Sequence, residues 1–156
     1  MAFNYLSVMA QSAAPKPPRA LVSPARPGWC SVTKPVSQAR VALLTSAALR
    51  LSDQLPFIAK EDLSYRLVPA DPNSETITID HHSRIGAIPR QDPEIIFPRS
   101  ALAALAEKRI IGSVSPVHVS FLGGMRCHQE IETELAPAIA RELVTAGVDL
   151  ALLVPY

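Results

Sequence analysis

The sequence predicts an α/β fold: a layered, largely parallel sheet flanked by helices, with a Pro-rich N-terminal arm. Three observations carry that prediction. Val41-Ala42-Leu43-Leu44-Thr45 is an unbroken apolar run of strand length, the pattern of a strand covered on both faces, as in parallel sheets. A second such run, within Val148–Val154, lies near the end of the chain. Two helical segments separate the later strands, giving the order β, β, β, α, β, α, β, which suits a layered α/β domain.

The elements follow in order. Residues 1–37 carry Pro15, Pro17, Pro18, Pro24, Pro27 and Pro35. Proline at that density opposes helix and favours extended, polyproline-like backbone. The expected organisation is therefore an arm over 1–37 and a single α/β domain over 38–156. The arm is either loosely draped or wraps a neighbouring subunit. Trp29 and Cys30 favour some packing, because a Trp in a free tail leaves its apolar area in water. After the first strand, Ser64–Val68 and Glu75–Ile79 alternate polar with apolar and read as further strands, with Pro69–Asn73 as a turn between them. Pro98-Arg99-Ser100 opens a helix through Lys108, with Leu102, Leu105 and Ala106 on one face. Ile110–Val114 reads as the helix end, a Gly turn and a short extended piece. Val117, Val119 and Phe121 then alternate with His118 and Ser120, a strand with one polar face. Gly123-Gly124 breaks the pattern. Glu130–Ala146 is the second helix, closed by Gly147, with Pro137 marking a restart or a first turn.

Bulk properties exclude several classes of function. A chain of 156 residues suits one domain with a real core. Lys plus Arg number 15 and Asp plus Glu 14, and so balanced a charge argues against nucleic acid or another polyanion as partner. One Trp, three Tyr and four Phe make poor platforms for stacking bases. No apolar run is long enough for a transmembrane helix, and the start lacks the basic region of a secretory signal. Cys30 and Cys127 are the two cysteines, too few for a disulfide framework. A reduced, cytoplasmic state is the simplest expectation.

Few polar residues are positioned for chemistry. In α/β folds ligands lie beyond the carboxyl ends of the strands. The segment Gly147–Tyr156 reads as turn, strand and strand end, so a catalytic loop is expected from further back or from a partner. Asp80-His81-His82-Ser83 follows directly on the strand ending at Ile79. Adjacent histidines on an extended chain point to opposite sides, so they do not readily share one metal, whereas Asp80 and His82 share a face. The choice is between hydrogen-bonded loop histidines and a proton-transfer or substrate-binding role. The short HxH and HExxH spacings are absent. A metal ion would need distant ligands such as His82, His118, His128 and Cys127, and no other cofactor is predicted. His118 either bonds a neighbouring loop or faces a cleft. Gly123 and Gly124 allow close approach of backbone to a ligand. Cys127, beside Arg126 and near a helix start, meets the condition for a lowered thiol pKa, with an inert cysteine as the alternative.

Several blocks resemble the selenoprotein B family of glycine, sarcosine, betaine and D-proline reductases. They are Ser37–Ser46, Asp62–Pro69, Ile79-Asp80-His81-His82, Ile96–Leu102, Ile111–Phe121 and Gly147-Val148-Asp149. Their order and spacing cover residues 24–155, and the Ser-Tyr-Arg and Phe-Pro blocks are most similar to the D-proline reductase branch. The resemblance implies reductive cleavage of a carbon–nitrogen bond in a small amine or amino-acid-like substrate. A selenol or thiol attacks and a second thiol resolves the intermediate. In the family that nucleophile follows shortly after the strand matching Leu150–Pro155, and none is carried over to this sequence. The resemblance places His81, His82 and His118 along the family's cleft. Cys127 matches no family nucleophile. The expected site is then His82, His118 and Cys127 for catalysis, with Asp80, His81, Gly123 and Gly124 for substrate binding. Three readings stay open. The first is a subunit completed by a related, thiol-bearing partner in a homo- or hetero-oligomer. The second is a non-catalytic scaffold or binding subunit, and the third a His-based, metal-dependent enzyme reusing the cleft.

Overall fold

The computed structural model describes residues 30–58, 62–71, 77–81, 89 and 91–156. Contacts divide the chain into Met1–Ser31 and Val32–Tyr156, and the fold is that of the second unit. Most of the Pro-rich arm and His82 lie outside the described residues.

The apolar run of the first strand becomes the centre of the sheet. Strand β1 (Arg40–Thr45) is buried at most positions, because it has neighbours on both edges and cover on both faces. Strand β7 (Leu150–Val154) runs parallel to it on one side, with Val41 opposite Leu150 and Thr45 opposite Val154. On the other side β1 meets β5 (Ser113–Val114) and then β6 (Val117–Phe121), both parallel. Strand β3 (Tyr65–Pro69) adds antiparallel to β6. Strands β2 (Leu49–Leu51) and β4 (Ile77–Ile79) form a separate antiparallel ribbon. The sheet is thus largely parallel with one antiparallel edge, an α/β fold. The sequence did not predict β2, because three residues are too short to show a period.

One irregularity in the sheet shapes everything near it. Val41 opposes Val114 and Leu44 opposes Val119, so three steps along β1 match five along its partner. The excess forms a bulge at Ser115-Pro116. Proline has no N–H for a ladder and is confined to edges and bulges. Ser115 stays buried, its N–H donating to the Val41 carbonyl at 2.8 Å and its hydroxyl to the Val117 carbonyl at 2.7 Å. The next N–H of β1 on that side, that of Leu43, donates instead to Nδ1 of His118 at 3.1 Å. An imidazole nitrogen stands where a strand carbonyl would be.

Helices cover both faces. Helix α1 (Arg99–Glu107) buries Leu102 against a cluster that includes Val41, Leu43, Val68, Ile96 and Phe97. Helix α2 (Ala136–Thr145) follows a helical turn at His128–Glu130 and a π-helical segment at Ile131–Leu135. Its Ile139, with Leu135, packs against Val119, Leu122 and Met125. The sequence predicted a restart at Pro137. A proline ring clashes with the carbonyl of an ordinary preceding turn, and the π segment that immediately precedes α2 displaces that register. Gly147, at φ +66°, closes the helix, and Val148 N–H returns to the Leu143 carbonyl at 2.9 Å. No helix among the described residues is long and apolar enough to cross a membrane.

Candidate functional site at the carboxyl ends of the strands

The carboxyl ends of β1, β6 and β7 converge on Ser46. Its hydroxyl oxygen accepts the Tyr156 N–H at 2.9 Å, and its carbonyl accepts the Gly123 N–H at 2.9 Å. A Cβ on residue 123 would lie 2.7 Å from that carbonyl, so the approach requires glycine. The ring of His81 meets the ring of Tyr156 edge-on, with centroids 5.0 Å apart. Two residues beyond Ser46, Ala48 adopts φ +50°, a left-handed conformation that an alanine holds only when its surroundings impose it. The clamp is visible: Ala48 N–H donates to the Phe121 carbonyl at 2.9 Å, and its carbonyl accepts the Asp80 N–H at 3.0 Å. Ser46, Ala48, Asp80, His81, Gly123 and Tyr156 therefore meet at the end of the parallel strands, where α/β folds hold ligands.

The carboxylate of Asp80 faces inward to the protein. Its Oδ2 accepts from Arg50 Nε at 2.8 Å and from Phe57 N–H at 2.9 Å, and both charged side chains are largely buried. Asp80 thus ties the segment after β2 to β4. Replacing it with Ala strands a buried guanidinium and an amide, an expected loss of about 2–3 kcal/mol. Asp80→Asn keeps an acceptor for Phe57 and should lose less. Urea unfolding of the two variants checks the ordering.

His118 sits deeper, on β6, fully buried. Its ring meets Phe97 edge-on at 5.5 Å. Burial, with the charge of Arg99 second, lowers its pKa to about 4, so the ring is neutral at pH 7. Because Nδ1 accepts from Leu43, the proton resides on Nε2. Nε2 has no partner among the described residues, and the buried hydroxyl of Tyr156 has none either. Arg99 is itself almost fully buried at the start of α1, and its Nη1 donates to the carbonyls of Pro69 and Asp71 at 3.2 and 3.0 Å. Burial lowers its pKa, and the charges of Glu94 and Asp71 act against that shift.

The two predicted thiol-side features lie elsewhere. Cys127 is half-buried and packs with the cluster under α2, whereas Phe97, beside His118, belongs to the cluster under α1. Gly124, at φ +75°, is exposed, and a Cβ there would touch nothing. Among the described residues no three His, Cys, Asp or Glu side chains gather as a metal site. The structure thus brings Asp80, His81 and Gly123 together, seats His118 in the α1-side core and leaves Cys127 on the α2 side. Sequence reasoning missed Ser46, Ala48, Arg99 and Tyr156. Ser46 had a weak signal, as the first polar residue past the buried part of β1. Ala48 and Arg99 had none, since alanine is unremarkable in sequence and arginine is seldom buried.

The chain is 30% identical over 127 residues to the D-proline reductase subunit gamma of Acetoanaerobium sticklandii, a match covering 81% of this chain and 52% of that protein. It spans about half the length of that curated relative. No family model matches the chain, and no solved structure matches it significantly. The chain is distantly related to that reductase family.

Proposed function

We propose that this chain is the sheet-bearing part of a reductase-complex subunit that cleaves a carbon–nitrogen bond in a small amino-acid-like substrate. The observation that carries the reading is the convergence of Ser46, His81, Gly123 and Tyr156 at the carboxyl ends of β1, β6 and β7. The relation to a D-proline reductase subunit supports the reaction class. The substrate lies over those strand ends, where a selenol or thiol attacks and a second thiol resolves the intermediate. Two electrons pass from the dithiol to the carbon–nitrogen bond. The carbon gains hydrogen, the nitrogen leaves as an amine, and the two thiols end as a disulfide. His81, with His82 beside it in sequence, supplies the proton the departing nitrogen takes up.

The surface supports a partner. Among the described residues strand β7 is a sheet edge with Leu152 and Leu153 exposed, and Val144 of α2 is exposed as well. An uncharged apolar edge is a surface that soluble proteins cover. A cavity of about 210 Å³ lies nearby, lined by Leu44, Phe121, Leu135, Ile139 and Leu143.

The complex purified from its natural source and incubated with D-proline and dithiothreitol should yield 5-aminopentanoate, the product of opening the Cα–N bond. His81→Ala should lower the rate by about 10²–10⁴-fold, and Cys127→Ser should leave it unchanged. An intact complex that turns over neither D-proline, glycine, sarcosine nor betaine would refute the reading.

A further inference from the structure

The loop after β2 holds two apolar side chains out in water. Leu55 is 80% exposed and Ile58 75%. The backbone that carries them is nevertheless fixed. Arg66 of β3 donates from Nε to the Leu55 carbonyl at 2.9 Å and from Nη2 to the Pro56 carbonyl at 3.3 Å. Its guanidinium lies 4.3 Å from the centre of the Phe57 ring. Phe57 N–H donates to Asp80 Oδ2 at 2.9 Å, and Ile58 N–H to Asp62 Oδ2 at 2.7 Å. The ring of Pro56 sets its own φ. Residues 55–58 are therefore a stiff apolar projection, and its ordering cost falls on folding rather than on binding.

The same side of the sheet holds a matching hole. Phe57, between the two exposed residues, is buried in the cluster that includes Leu135 and Ile139. Those two also line the cavity of about 210 Å³, with Leu44 and Phe121 of the sheet and Leu143 of α2. Ala136 and Ala140, which line it as well, are exposed, so the cavity opens at the surface. No charged side chain lines it, and Leu55–Ile58 carries none. Their sizes agree. An apolar cavity of about 150 Å³ holds benzene, with six carbons. In proportion, 210 Å³ holds about eight, the number in the side chains of one leucine and one isoleucine.

We propose that this chain docks on a second copy of itself, with Leu55 and Ile58 of each copy entering the α2-side cavity of the other. Because projection and hole are anchored on one side of the sheet, a single twofold axis satisfies both contacts, and a reciprocal contact closes at two subunits. The rigid projection supplies the few residues that dominate such an interface, and the cavity supplies the dry pocket they need. The proposal does not depend on the reaction assigned to the chain.

Sedimentation equilibrium of the full chain over a range of concentrations tests this. The native chain should be a dimer that dissociates on dilution. Leu55→Ser with Ile58→Ser removes the projection, and Ala140→Phe fills the mouth of the hole. All three positions are exposed, so the fold should persist, with circular dichroism as the check. Each variant should weaken dimerisation about tenfold or more. Mixing the two variants should restore dimers at concentrations where neither forms them alone, because the mixed pair keeps one intact projection and one intact hole that meet. If one variant does not fold, the other carries the test by its effect on the dimer. A monomer at every concentration, a dimer indifferent to the substitutions, assemblies larger than two, or no recovery on mixing two folded variants overturns the proposal.

Discussion

Lowering the pH from 6.5 to 4 is expected to cost this protein about 3 kcal/mol of stability through His118 alone. The ring is fully buried and its pKa falls to about 4, first through burial and second through the charge of Arg99. In the unfolded chain the same ring titrates near 6.5. Between those values the unfolded state binds the proton and the folded state does not, so protonation draws the chain toward unfolding. The stabilisation is complete above the unfolded pKa and is lost as pH falls toward the folded one. Asp62 and Asp149, whose pKa values lie below the usual 3.8, act in the other window, at more acid pH. Hydrogen bonds hold Asp62 down against its burial, and the Arg40 N–H and Lys34 hold Asp149 down. Urea unfolding at several pH values between 7 and 4 should show the loss in the native protein and little of it in His118→Asn. A slope that survives the substitution would assign the titration to another group.

The second large effect is steric. Gly112→Ala should cost about 3 kcal/mol or more. A Cβ there would lie 2.4 Å from the Gln38 carbonyl carbon and 2.6 Å from its oxygen. Both are backbone atoms and neither can swing away. Gly112 and Ser113 donate their N–H groups to the Ala39 carbonyl at 3.0 and 3.1 Å, which seats β5 against the start of β1. The damage should therefore reach the bulge at Ser115-Pro116 and loosen the His118–Leu43 bond. The check is the unfolding midpoint together with hydrogen exchange at Leu43, which should become faster. A loss below about 0.5 kcal/mol, the range of an ordinary surface substitution, would show that the two backbones stand further apart.

The elements that were legible in the sequence are those whose own residues enforce them. The β1 run reads as a doubly covered strand because four apolar residues in succession, Val41 to Leu44, have no polar side to offer water. Gly147 ends α2 because a left-handed residue is needed there and glycine supplies it at no steric cost. The polar face of β6 was visible as His118 and Ser120 alternating with valines. Its direction was not, since alternation is the same whether a polar face meets water or a buried bulge. Ser120 illustrates the point: its hydroxyl oxygen, fully buried, accepts the Leu49 N–H at 2.7 Å, a partner 71 residues away.

By itself, then, the sequence determined the layered α/β class and the positions of its helices and of its strands other than β2. Those features depend on local periodicity and turn chemistry, which a single chain segment carries. Only the tertiary structure decided which polar groups share an environment. It alone set the two-residue register excess that turns His118 into a backbone acceptor, the burial of Arg99, and the meeting of Ser46 with Gly123 and Tyr156. Each of these depends on segments distant in sequence closing on one another, and no local pattern records the depth or direction of that contact.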